Sequence, residues 1–102
     1  FRPPYGAITK SDAWLLHNMG LRIITWSVDT KDWSGKTAEE IITTVENNIS
    51  PGGIILQHDF PSTDENTLEG SLEALPEMID QLREKGYTFV TVQTMLDENN
   101  NL

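Results

Sequence analysis

Three short stretches hold the residues whose types can do chemistry: Phe1-Arg2-Pro3-Pro4-Tyr5-Gly6, Asp29-Thr30-Lys31-Asp32-Trp33 and Gln57-His58-Asp59. They offer a guanidinium, carboxylates, three aromatic side chains and an imidazole, the side chain whose unperturbed titration falls near neutral pH. Such a set suits proton transfer beside a bound substrate. Each member also has a plain structural reading. His58 can be a hydrogen-bonded histidine ending a strand, Asp32 a turn residue, and Trp33 a cover over the sheet edge. Arg-Pro-Pro-Tyr-Gly by itself is a rigid turn before a helix. His17 sits among apolar residues and reads as structural, and the acidic pairs Asp64-Glu65 and Asp97-Glu98 read as solvated surface. Glu39-Glu40 is favourable charge at a helix N-terminus.

The spacing of apolar residues says what must position these stretches. Ala13, Leu15, Leu16 and Met19 predict a helix from Lys10 to Met19, capped by Thr9 or Ser11 and closed by Gly20. Leu21–Val28 is β-branched and aromatic and predicts a strand. Thr37 and Glu40 stand in capping-box register ahead of a stripe of Ile41, Ile42, Val45 and Ile49. Ser50-Pro51-Gly52-Gly53 breaks that helix, and Gly53–Gln57 predicts a buried strand. A polar loop from Phe60 to about Leu68 leads to a helix over Glu69–Lys85 facing inward through Leu72, Leu75, Ile79 and Leu82, with Pro76 marking a kink or a start near Leu75. Tyr87–Val92 predicts a last strand and Gln93–Asp97 a short helix, with residues 98–102 as a frayed tail. Strands alternating with amphipathic helices imply right-handed crossovers and an α/β fold with parallel strands. In such folds functional groups gather after the carboxyl ends of strands, where the three stretches fall.

Composition narrows the partners. Seven Lys+Arg against 16 Asp+Glu give a formal net charge of −9 over 102 residues. A phosphate backbone or an anionic membrane surface needs clustered cations, so neither nucleic acid nor membrane is expected. No run approaches the ~20 apolar residues of a membrane span, and the opening FRPPYG does not read as a signal peptide. With no cysteine, disulfides and thiolate metal sites are excluded, and any metal is held by oxygen and imidazole nitrogen. Three short strands make too small a sheet to stand with helices on both faces, so the pattern reads as part of a larger fold.

Taken together and in order, the three stretches resemble the third, fourth and fifth motifs of the polysaccharide deacetylases, the NodB-homology domain of carbohydrate esterase family 4. Phe1–Gly6 looks like the third, Asp29-x-x-Asp32-Trp33 the fourth, and Ile55-Leu56-Gln57-His58-Asp59 the fifth. The closing Glu84-Lys85-Gly86-Tyr87-Thr88-Phe89-Val90-Thr91-Val92 also fits the family. The resemblance implies the C-terminal part of a distorted (β/α) barrel over residues 1–97. It implies hydrolysis of an acetyl group on a sugar polymer, assisted by a divalent metal, usually zinc. His58 would be the general acid that protonates the departing amine, and Asp32 would tune it. Arg2 would tether the base aspartate, and the Tyr5 backbone N–H would complete the oxyanion site. Trp33 would stack on a pyranose face, and Leu56 would line the acetyl pocket. Asp29 has no assigned role, and Asp59 reads as a loop cap.

The family's first two motifs, which supply the base, a ligating Asp and an H-x-x-x-H pair, have no match here. The metal is therefore expected on residues outside this chain, with an N-terminal segment of the same enzyme as partner. The cluster of Asp29, Asp32 and Asp59 lacks the histidines of that site. Chitin or chitooligosaccharide is the first expected substrate, peptidoglycan N-acetylglucosamine the second and acetylated xylan the third, in a secreted or cell-wall setting. The competing reading is a non-catalytic carbohydrate-binding module in which Trp33 and Tyr5 stack on sugar.

Overall fold

The computed structural model describes residues 1–60 and 67–100. After a 3-10 turn at Pro4–Gly6, the elements are α1 (Lys10–Asn18), β1 (Val28–Asp29), a second 3-10 turn (Asp32–Ser34), α2 (Ala38–Asn48), β2 (Ile55–Leu56), α3 (Glu69–Glu84) and α4 (Val92–Asn100). The strands pair in parallel, Val28 with Ile55 and Asp29 with Leu56, and α2 is the crossover between them. This is an α/β arrangement, and it aligns the ends of β1 and β2 so that the loops after them meet.

Local chemistry sets the helix starts. The Thr9 hydroxyl accepts the Asp12 amide at the head of α1. At α2 the capping box is complete: Thr37 Oγ1 accepts the Glu40 N–H, and Glu40 Oε1 accepts the Thr37 N–H. The Thr37 N–H and hydroxyl, both donating to Glu40 Oε1, hold the Glu40 carboxyl below its ordinary value. One face of α2 then buries Ile41, Ile42 and Val45 against Val28 of β1 and against Ala74, Met78 and Leu82 of α3. Each large side chain so buried contributes about 1.5–3 kcal/mol, so the α2–α3 seam carries most of the stability.

The structure departs from the expected pattern in four places. First, the strand expected over Leu21–Val28 forms a ladder only at its end. Residues 21–27 are held by separate bonds, among them Phe1 N–H to the Arg22 carbonyl and Ile24 N–H to the Phe1 carbonyl, the alternation of a parallel pair. Second, the strand expected at Tyr87–Val92 makes no ladder, and α4 begins at Val92. Tyr87 packs on the core and the Arg83 guanidinium lies 5.9 Å from the Phe89 ring centre, so side chains anchor this segment where backbone pairing does not.

Third, α3 presents Ser71, Ala74 and Met78 to the interior together with the expected Leu82, while Ile79 is half-buried and the expected Leu72 and Leu75 are exposed. Leu72 is 72% exposed and Leu75 41%. The inward face is set by size, because small Ser71 and Ala74 let α3 approach α2 closely. Pro76 lies inside α3 and is exposed, so the carbonyl that loses its donor is open to water and no new helix starts at Leu75. Fourth, α4 continues to Asn100, so residues 98–100, expected as tail, are helical. Most of the expected groove loop, with Asp64-Glu65, lies outside the described residues. α1 buries none of its residues, and Trp14, Leu15 and Met19 stay more than half exposed.

The close approach of the helices has a direct test. A Cβ on Gly70 would collide with the Lys36 carbonyl oxygen and meet the Thr37 carbonyl carbon, both at the head of α2. Gly70→Ala is therefore expected to cost about 1–3 kcal/mol, seen as a lowered melting temperature of the full-length protein. An unchanged melt would mean that α3 is not seated on the start of α2.

Candidate active site

The loop after β1 aims Asp32 inward. Asp29 Oδ1 accepts the Lys31 N–H at 3.0 Å, closing an Asx-type turn. Lys31 then adopts left-handed φ/ψ of 51° and 34°, which turns the chain into the 3-10 segment headed by Asp32. A non-glycine residue in that region costs of order 1 kcal/mol, the kind of strain that collects at functional sites. Ser34 fastens the turn by donating its hydroxyl to the Lys31 carbonyl at 2.6 Å. Thr30, buried beside it, donates to the Leu56 carbonyl at 2.7 Å and ties this loop to β2.

Asp32 is 1% exposed and charged, which requires full hydrogen bonding. Oδ1 lies 2.8 Å from His58 Nδ1. Oδ2 accepts the His58 backbone N–H at 2.8 Å and the Ser71 hydroxyl at 2.7 Å. Burial acts to raise the carboxyl pKa, but the His58 amide, the Ser71 hydroxyl and the imidazole together outweigh it and hold the group below its ordinary value. An ionised carboxylate only accepts, so Nδ1 of His58 must carry a proton and donate. That fixes the tautomer and leaves Nε2 as the nitrogen free for other work. The imidazole side chain is 37% exposed and the carboxylate beneath it 0%. The arrangement is an accessible imidazole held in one tautomer by a dry carboxylate.

The other expected residues are placed less closely. Trp33 follows Asp32 directly and is 39% exposed, and Leu56 is half-buried at the end of β2. Tyr5 has φ 59° and a solvent-exposed ring inside the Pro4–Gly6 turn, and Gly6 follows at φ 67° with Trp26 lying where a Cβ would point, 3.0 Å away. Arg2 is exposed and makes no ion pair among the described residues. The structure thus brings Asp32 and His58 into contact and shows no bond from Arg2 or Tyr5 to either. Sequence reasoning missed Ser71, Thr30 and Gln57; the two hydroxyls are ordinary in type, and only their burial gives them away. A cavity of about 250 Å³ near the start of β2, lined by Ile49, Gly53, Tyr87 and Phe89 among others, lies away from this pair.

Comparison with known proteins points to one family of relatives. No family model matches the chain. A peptidoglycan-N-acetylglucosamine deacetylase of Bacillus cereus is 44% identical over 94 residues, which are 92% of this chain and 33% of the relative. A crystal structure of a peptidoglycan N-acetylglucosamine deacetylase superposes with a TM-score of 0.85 at 41% identity, covering 92% of this chain and 42% of that one. A carbohydrate esterase family 4 pseudoenzyme from Bacillus anthracis matches with a TM-score of 0.83 at 31% identity, covering 96% of this chain and 32% of that one. Other relatives are named as a chitooligosaccharide deacetylase and a bifunctional xylanase/xylan deacetylase. The chain is an α/β homologue of the carbohydrate esterase family 4 polysaccharide deacetylases. It spans a third of the Bacillus cereus relative.

Proposed function

We propose that the protein hydrolyses acetyl groups from an N-acetylated polysaccharide, with the Asp32–His58 pair acting on the leaving nitrogen. The observation that carries this reading is the buried carboxylate 2.8 Å from an exposed imidazole whose Nε2 makes no bond among the described residues. An amide nitrogen departs readily only when protonated. Imidazolium held by Asp32 donates that proton from Nε2, and the carboxylate stabilises the charged form beforehand. Trp33 offers a face for a sugar ring, Leu56 lines the acetyl pocket, Tyr5 donates its backbone N–H to the developing oxyanion, and Arg2 steadies the base carboxylate. In the complete protein this stretch completes a distorted (β/α) barrel, and the base comes from an N-terminal part.

A divalent metal, zinc in the usual case, fits the reaction class, but the donor set here does not hold one. Among the described residues no three His, Asp or Glu side chains converge as ligands. The metal's ligands are thus assigned to the same N-terminal part. The relatives with the higher identities above are named for peptidoglycan N-acetylglucosamine. That supports this polymer ahead of chitin oligomers and xylan, reversing the order expected from sequence, and with it a cell-wall setting.

The test is acetate release by the full-length protein from peptidoglycan and from N-acetylglucosamine oligomers. Release is expected to fall by at least about 100-fold with a chelator and to return with added zinc. The pseudoenzyme neighbour favours one second reading, a sugar binder without turnover. Binding of the same oligomers with no chelator-sensitive release would establish that reading instead.

A further inference from the structure

Ser71 lies on the first turn of α3, outside all three motif stretches, yet its hydroxyl reaches the carboxylate beneath His58. It is 6% exposed. Its hydrogen-bond direction is forced. The Gln57 side-chain amide can only donate from Nε2, and it points at Ser71 Oγ from 3.0 Å. Asp32 Oδ2 can only accept. The hydroxyl proton must therefore lie toward Asp32, and Gln57, Ser71, Asp32 and His58 form one polarised chain of bonds.

We propose that Ser71 is a positioning residue: with Gln57 behind it, its hydroxyl fixes the orientation of the Asp32 carboxylate so that Oδ1 meets the His58 imidazole. The inference rests on the reaction proposed above. Two of the three donors that orient Asp32 belong to His58 itself, through its amide and its ring. Without an outside donor the carboxylate could follow the histidine as its loop moves. Ser71 supplies that donor from α3, which is anchored in the core by Ala74, Met78 and Leu82. Gln57 also approaches the Ser71 carbonyl at 3.4 Å, which seats its amide over the same turn. Around the carboxylate the facing groups are His58, which titrates, and the neutral Ser71 hydroxyl and His58 amide.

The experiment uses the full-length protein, with the Asp32 carboxyl carbon followed by NMR through a pH titration. In Ser71→Ala, Asp32 is expected to protonate at higher pH, and the acid limb of the kcat profile should move with it. At neutral pH kcat should fall about tenfold with KM within about twofold. Ser71→Thr, which keeps the hydroxyl, should restore both the titration and the rate. Gln57→Leu leaves the hydroxyl free to rotate and should shift the titration the same way by less. A Ser71→Ala protein with the Asp32 titration unmoved overturns the proposal, even if activity drops. If Ser71→Ala does not fold, an unmoved titration in Gln57→Leu overturns it equally. Should the full-length protein release no acetate at all, the reading of the reaction fails, while the Asp32 titration still decides the role of Ser71.

Discussion

His58→Ala in the full-length protein is expected to lower turnover by about 10²–10⁴-fold, the usual contribution of a positioned general acid. The substitution removes the only imidazole within reach of Asp32 among the described residues. His17, the other histidine of the chain, lies on α1 with no bond to this loop. KM should change little, because the proton matters mainly as the nitrogen departs. Substrates with better leaving groups give the discriminating measurement. An activated acetyl ester needs less protonation of its leaving oxygen, so the variant should lose far less on it than on the sugar amide. Equal losses on both would remove His58 from the acid's role and leave it a structural part.

Asp32→Asn is expected to do comparable damage by a different route. Three donors converge on this carboxylate: the His58 amide, His58 Nδ1–H and the Ser71 hydroxyl. An amide has one oxygen to offer and presents two N–H groups in place of the other. Either a buried donor is left unpaired, costing about 1–3 kcal/mol, or the imidazole turns over its tautomer to accept at Nδ1. In the second case imidazolium loses its counter-charge, and turnover should fall by about 10²–10⁴-fold. The pH dependence of stability separates the two forms of the protein. Because folding depresses the Asp32 pKa, its stabilisation is fully present above the unfolded value and is lost as pH falls through the lower folded value. The parent should show this loss on acidification and Asp32→Asn should not. Parallel acid curves for the two would show that folding does not depress the Asp32 pKa.

How far the sequence reached depends on which interactions carry information locally. The helix start at Thr37, and at Thr9 as one of two candidates, was legible, since a capping hydroxyl and the amide that donates to it lie three residues apart. The parallel pairing of β1 and β2 followed from the crossover alone, and the meeting of Asp32 with His58 was implied by the resemblance to the deacetylases. The inward face of α3 was not legible. Leucines at 72 and 75 outbid serine and alanine in any reading by hydropathy, whereas the real constraint was how near α3 must come to the head of α2. The strand at Tyr87–Val92 failed for a related reason. β-propensity describes a segment's fitness to pair, and pairing needs a neighbour's backbone, which one segment's composition cannot report. Ser71 was invisible because nothing in a lone serine marks its partner, 39 positions away.

That separation also bears on how the site comes into being. Tying residues 39 apart costs about 3 kcal/mol of chain entropy by the usual logarithmic scaling. A hydroxyl–carboxylate bond returns roughly 1.5–3 kcal/mol. The bond therefore cannot close its own loop; the apolar seam of Ile41, Val45, Ala74, Met78 and Leu82 must already be shut. The acid pair is thus a late arrival in folding, with no local precursor in the unfolded chain. Loosening the seam is expected to release Asp32 from Ser71.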